Sequence, residues 1–261
     1  MSTARELNNN NVIQLTVING KLSKKNEVKY KKDGGIKRSH TNKVAGISSE
    51  VYAFTTKEEI ESMIKVFDKH IDEATNDNQR QIACRNKMLF SIGLNVGLRA
   101  SDLTELKWSF FFNEDESFKD SNKLQPKKQR NANKFVPVVI NQNVKDIIMD
   151  YIKKYPIKDM NDYLFPSRKG DKCIEAGTLW KIIKDTAKEA GICNKNIGSH
   201  SLRKSFGYWY WHDAEDKSKA LVTLQSIFNH SSTVTTMKYI GLTKNDIFDA
   251  FKTIELAFSF M

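Results

Sequence analysis

Behind Thr55-Thr56-Lys57-Glu58-Glu59, a capping-box pattern, Ile60, Met63, Ile64 and Phe67 recur at helical spacing and predict a helix running to about Ala74. A second predicted helix starts near Asn78, turns Ile82, Met88, Leu89 and Ile92 inward, and stops at Gly93–Gly97, where glycine permits a tight turn. Ser101 to Leu106 adds one or two helical turns. From Trp108 the pattern shortens: WSFFF, ESFKDSNKLQP and KFVPVVI predict three short strands of a small antiparallel sheet. The polar, basic run KKQRNANK joins the last two. Helical spacing returns at 143–155 (Val144, Ile147, Ile148, Tyr151, Ile152) and at 178–190 (Leu179, Ile182, Ile183, Ala187). Further helices are predicted from His200 to about Trp211, over 219–228 and, after a turn at His230-Ser-Ser, over 244–257. The last has Ile247, Phe248, Phe251 and Ile254 on one face. The fold class is mostly α with one small antiparallel β-sheet (α+β), with no internal repeat.

Residues 1–50 differ from the rest. They hold ten Lys and Arg side chains against four acids, and VIQLTVI at 12–18 is their one apolar patch. A stretch with so little to bury cannot offset its ordering entropy. It predicts a flexible basic arm, with Lys24, Lys25, Lys31, Lys32, Lys37 and Arg38 as candidate DNA contacts, ahead of a folded domain at 51–261. The whole 261-residue chain carries a formal net charge of +11, which implies a polyanionic partner: DNA, RNA or an acidic membrane surface. Three cysteines without a CxxC pair (Cys84, Cys173, Cys193), no apolar leader and no run of 18 apolar residues predict a cytoplasmic protein without a membrane partner.

Arg99 follows the glycine turn in GLRASDLTEL. His200 and Arg203 share HSLRKSFG, His230 opens HSS, and Tyr239 stands in TTMKYIG. That order of residues suits phosphate chemistry. A phosphodiester repels nucleophiles, and its transition state gathers charge on the non-bridging oxygens, so fixed guanidiniums at Arg99 and Arg203 can clamp it. Tyr239 is the candidate nucleophile. A phenol with a reference pKa of about 10 needs a base or a positive field at neutral pH. His200 is the candidate proton acceptor, and the arginines supply the field. No HExxH motif, carboxylate pair or Cys/His cluster is present, so no cofactor and no metal are expected.

The words GLRASDL, YLFPS, HSLRKSFG and NHSS…TTMKYIG together resemble the tyrosine recombinase (phage integrase) family over about residues 52 to 255. The resemblance implies a catalytic domain that cleaves and rejoins DNA strands through a 3′-phosphotyrosyl intermediate without metal or ATP. It implies that His230 orients the phosphate and that Asp102, after the first arginine, supports the clamp. A lysine of the hairpin before Pro137 would protonate the leaving 5′ oxygen. Lys127, Lys128 and Lys134 are the candidates; the distance from Pro137 favours Lys128 and leaves Lys127 and Lys134 as DNA contacts. The glycine usual before the second histidine is Asn229 here. Implied partners are double-stranded DNA, further copies of the chain on paired sites and, since 50 tail-like residues cannot replace the family's usual DNA-clamping domain, an accessory DNA-binding protein. Two other readings share the fold: a catalytically silent DNA-binding regulator, and a type IB topoisomerase or resolvase-like strand-transfer enzyme. The complete set of Arg99, His200, Arg203, His230 and Tyr239 argues against the first, and the NHSS…TTMKYIG ending favours integrases over the second.

Overall fold

In a computed structural model of the chain, residues 50–127, 135–168 and 171–242 are described in full, and 5–8, 11–18 and 21–25 as backbone. Lys31, Lys32, Lys37, Arg38, Lys128, Lys134 and the helix predicted over 244–257 lie outside the described residues. The chain divides into two units, Met1–Ser49 and Glu50–Met261.

The first unit is the stretch whose composition predicts a basic arm. Three antiparallel strands, β1 (Arg5–Asn8), β2 (Asn11–Ile18) and β3 (Lys21–Lys25), pair in the order β1-β2-β3. The apolar patch is the central strand, where β-branched residues suit pleated backbone. Asn-Gly stands in the sequence between the paired Ile18 and Lys21, a pair favoured in two-residue hairpin connections. Lys24 and Lys25 lie in β3, in register with Leu15 and Gln14.

The second unit begins as the capping pattern predicts. Thr56 caps α1 (Lys57–Asp72) by accepting from the Glu59 N–H, while the Glu59 carboxylate accepts from the Thr55 N–H. Asn76 caps α2 (Asp77–Val96) in the same way through Gln79. Then come α3 (Ala100–Thr104), β4 (Ser121–Leu124), β5 (Val136–Val139), α4 (Gln142–Ile152) and α5 (Ala176–Glu189). The chain continues through α6 (Ser199–Asp213), α7 (Lys217–Phe228) and α8 (Thr233–Ile240). β4 and β5 are antiparallel, with Leu124 opposite Val136.

One sequence expectation needs correction. WSFFF is no strand: Trp108–Phe110 is a 3-10 turn in which the Trp108 and Ser109 N–H groups donate to the carbonyls of Asp162 and Met160 and the Phe110 N–H to that of Lys107. Trp108 and Phe111 are buried three residues apart, a helical spacing, and Trp108 stacks on Tyr151 with ring centroids 6.0 Å apart. The small sheet therefore has two strands. The pattern predicts a turn at His230-Ser-Ser and assigns no element to the stretch before Tyr239, where α8 stands. Thr233-Val234-Thr235-Thr236 is a β-branched run of poor helix propensity, a deficit of at most about 0.7 kcal/mol per residue. Burial outweighs it. Leu224, Phe228, Ile240 and Leu242 form a small apolar cluster of their own, each worth about 1.5–3 kcal/mol. Ser232 completes the helix by accepting from the Thr235 N–H.

The main core is separate from that cluster. Phe54, Phe67, Phe90, Leu103, Phe165 and Leu179 are among its fully buried members, drawn from the segment before α1, from α1–α5 and from the connections between them. α6 bridges the two clusters, Leu202 lying in the large one and Phe206 against the small one. A strap formed by residues 52–54 is laced to the beginning of α6. Tyr52 N–H donates to the Asn196 carbonyl at 2.9 Å and Phe54 N–H to Ser205 Oγ at 2.7 Å. Trp209 Nε1–H returns to the Phe54 carbonyl at 2.9 Å. Among the described residues no helix is long and apolar enough to cross a membrane.

Candidate active site

The site begins at the glycine turn. Gly97 ends α2 in the left-handed region, at φ 58° and ψ 23°, which directs the chain into Leu98 and makes Arg99 the residue before α3. A Cβ at Gly97 would stand 2.4 Å from the Phe206 ring. Gly97→Ala therefore combines left-handed backbone strain with overpacking, an expected loss on the order of 2–4 kcal/mol, read as a lowered urea midpoint. A change under about 0.5 kcal/mol would mean that neither constraint acts.

Arg203 reaches the same turn from α6. It is 4% exposed, donates from Nη1 to the Gly97 carbonyl and from Nη2 to the Phe228 carbonyl at 3.2 Å, and lies 4.2 Å over the Phe228 ring. One guanidinium thus ties the end of α2 to the end of α7, across the two apolar clusters. Burial pulls its pKa down to about 10, with Arg99 acting in the same direction and Tyr239 and Asp102 opposing. It remains a cation at neutral pH.

Tyr239 and His230 arrive from the other side. Asn229 ends α7 in the left-handed region at φ 53° and ψ 51°, a conformation asparagine tolerates where most residues do not. This accounts for its standing in the glycine's place. His230 follows, its ring centroid 5.1 Å from that of Tyr239 and 5.3 Å from that of Phe228. Its Nδ1 is 3.0 Å from Thr236 Oγ1. Burial, Arg203 and Arg99 all lower the His230 pKa from its ordinary 6.5. Burial raises the Tyr239 phenol above 10, and Arg203 and Arg99 pull it back. Gly207 makes this packing possible, since a Cβ there would meet Ile240 at 2.6 Å and Phe228 at 2.9 Å.

Four predicted side chains, Arg99, Arg203, His230 and Tyr239, thus act on one another. His200 lies in the first turn of α6, one turn ahead of Arg203 on the same helical face, and is exposed. Asp102 is buried in α3 and favours the charged Arg203, as a supporter of the clamp would. Its Oδ1 also accepts from the Lys127 N–H at 2.9 Å, so it pins the start of the basic hairpin. Lys127 Nζ is paired with Glu105 and must leave that carboxylate to meet a phosphate. Among the described residues no group of three or more His, Cys, Asp and Glu gathers around a possible metal position.

Lys204 escaped the sequence reading. It is 8% exposed, with Nζ 5.3 Å over the Tyr239 ring and 3.6 Å from Glu50. A residue beside Arg203 in a helix faces another direction, so HSLRK carries no sign that both cations meet the same tyrosine. Thr236 was also missed, although the Thr235-Thr236 pair in TTMKYIG marks it as part of a motif.

The sequence profile of the phage integrase family matches residues 53–246, most of the chain. The chain belongs to this family. The probable integrase/recombinase YoeC of Bacillus subtilis (strain 168) is 32% identical over 168 residues, 64% of this chain and 83% of that protein. The tyrosine recombinase XerD of Listeria innocua is 26% identical over 184 residues, 69% of this chain and 57% of the relative. This family fold recurs in the XerH site-specific recombinase bound to palindromic difH substrate, a post-cleavage complex. That likeness has a TM-score of 0.56 at 21% identity, over 87% of this chain and 60% of that one. The XerA recombinase gives a TM-score of 0.54 at 20% identity, over 82% of this chain and 67% of the other. The chain thus spans little more than half of XerD and three fifths of XerH.

Proposed function

We propose that this family member is a site-specific DNA recombinase that cleaves and rejoins strands through Tyr239. The observation that carries the reading is the convergence of two arginine charges on one partly buried phenol, with a histidine beside it. Arg99 and Arg203 clamp the non-bridging oxygens, and Asp102 keeps Arg203 charged and the hairpin base in place. His230 donates to the phosphate. His200 takes the phenol proton as the Tyr239 oxygen bonds to phosphorus, and the bond from phosphorus to the 5′ oxygen breaks. Lys128 protonates that oxygen. The products are a 3′-phosphotyrosyl link and a free 5′ hydroxyl, and attack by the 5′ hydroxyl of a partner duplex reverses each step. Phosphodiester energy stays in the covalent link, so the exchange needs neither ATP nor a metal. Lys204, over the ring, adds a third positive charge, since attraction between a cation and an aromatic ring grows as the phenol becomes phenolate.

The partner is double-stranded DNA, in keeping with the net charge of +11. Lys127, Lys134 and the cations of the first unit make phosphate contacts without sequence preference. Exchange between two duplexes calls for several copies on paired sites, and an accessory DNA-binding protein is a further candidate partner. The test is incubation with nicked duplexes cut from the DNA flanking its own gene, in which the released 5′ fragment diffuses away and traps the intermediate. A protease-sensitive covalent adduct is expected. If no flanking sequence yields one while the protein still binds DNA, the silent-regulator reading gains.

A further inference from the structure

Thr236 stands three residues before Tyr239 on α8 and is completely buried. Its hydroxyl can donate one proton, to the Ser232 carbonyl or to an unprotonated His230 Nδ1, and can itself accept from a protonated Nδ1. Ser232 carbonyl lies at 3.3 Å and already receives the backbone N–H of Thr236 at 3.2 Å; His230 Nδ1 lies nearer, at 3.0 Å. The shorter, unshared bond favours the imidazole. We propose that Thr236 is a positioning residue that assigns the tautomer of His230: its hydroxyl donates to Nδ1, so the ring carries its single proton on Nε2.

The assignment matters because of what surrounds the ring. Arg203 from α6 and Arg99 from the turn after α2 repel a protonated imidazole, and burial opposes it as well. Tyr239 from α8 and Phe228 from α7 pack against the ring, and Thr236 Oγ1 lies 3.0 Å from Nδ1. A doubly protonated ring is disfavoured there, so His230 has one N–H to offer. On Nδ1 that proton would be turned toward Thr236, and Nε2 would face a phosphate oxygen with a lone pair. On Nε2 it can donate. A buried hydroxyl three residues from the nucleophile therefore decides whether the histidine attracts or repels the phosphodiester. The inference rests on the site's binding a phosphodiester as proposed above.

Thr236→Val keeps the shape and removes the hydroxyl; Thr236→Ser keeps the hydroxyl. The Val variant is expected to cleave about 10- to 100-fold more slowly than wild type with little change in DNA affinity, the usual cost of losing the partner that orients a working histidine. The Ser variant should recover most of the rate. NMR of protein labelled with nitrogen-15 in its histidine rings, with the His230 signals assigned by their loss in His230→Gln, reads the tautomer directly at neutral pH. Wild type and Thr236→Ser should show Nε2–H, and Thr236→Val a mixture. A wild-type ring protonated on Nδ1 overturns the proposal, as does a Val variant that cleaves at the wild-type rate. Should Thr236→Val fail to fold, the wild-type and Ser spectra still decide it. Wild type that forms no adduct on any DNA would count against the recombinase reading alone, because the tautomer is read without DNA.

Discussion

Tyr239→Phe is expected to abolish the covalent adduct while leaving DNA affinity and stability near wild type. Phenylalanine keeps the ring that packs at 5.4 Å against Phe228 and 5.1 Å against His230, and it still lies beneath Lys204. Only the attacking oxygen is gone. Gel electrophoresis in detergent after incubation with nicked DNA separates the two proteins, and an adduct from the Phe variant would end the assignment of Tyr239 as nucleophile. A pH series on wild type adds a second check. Burial raises the phenol above 10 and the two arginines only partly reverse it, so the neutral phenol dominates at pH 7. Less phenolate at a given pH means that adduct formation should accelerate as pH rises from 6 through 8, up to about tenfold per unit where deprotonation limits. A rate that falls over that range would show that the phenol proton is not what limits attack.

Arg203 should give the other large effect, and it needs two substitutions to interpret. Arg203→Ala removes a preorganised donor set, an expected loss of about 10²- to 10³-fold in cleavage. It also leaves the Gly97 and Phe228 carbonyls without their buried partner, at about 1–3 kcal/mol of stability. Arg203→Lys separates the two consequences. Lysine keeps the charge but lacks the planar fork that reaches both carbonyls and a phosphate together, so it should fold better than Ala and still cleave far more slowly than wild type. Cleavage by the Lys variant within about tenfold of wild type would mean that charge alone suffices and the fork is dispensable.

How much of this was legible in the chain follows from the range of each interaction. Caps and amphipathic faces act within one or two turns, so the starts of α1 and α2 and the inward residues of α4 and α5 were readable from neighbours alone. The glycine turn before Arg99 and the tolerated Asn229 were readable for the same reason. Propensity misled where long-range packing opposed it. WSFFF has the composition of a strand, yet its first two N–H groups pair with residues some fifty positions on and the next two close a local turn. The threonine-rich run before Tyr239, to which the pattern assigns no element, has the composition of a strand, and a separate apolar cluster and a serine cap hold it as α8. In residues 1–50, composition points to a basic arm, and the described parts pair as three strands.

The sequence by itself determined the family, the helical class and the order of chemical groups: two arginines, two histidines and a tyrosine in motifs whose local form suits phosphate. Only the tertiary structure decided which groups act on one another, because burial and charge are properties of a place and not of a motif. It set Arg203 between Gly97 and Phe228, raised the phenol of Tyr239 while aiming two guanidiniums at it, brought Lys204 over the ring, and gave the His230 imidazole to Thr236. Those contacts join α2, α6, α7 and α8 across many tens of residues, where no spacing rule reaches.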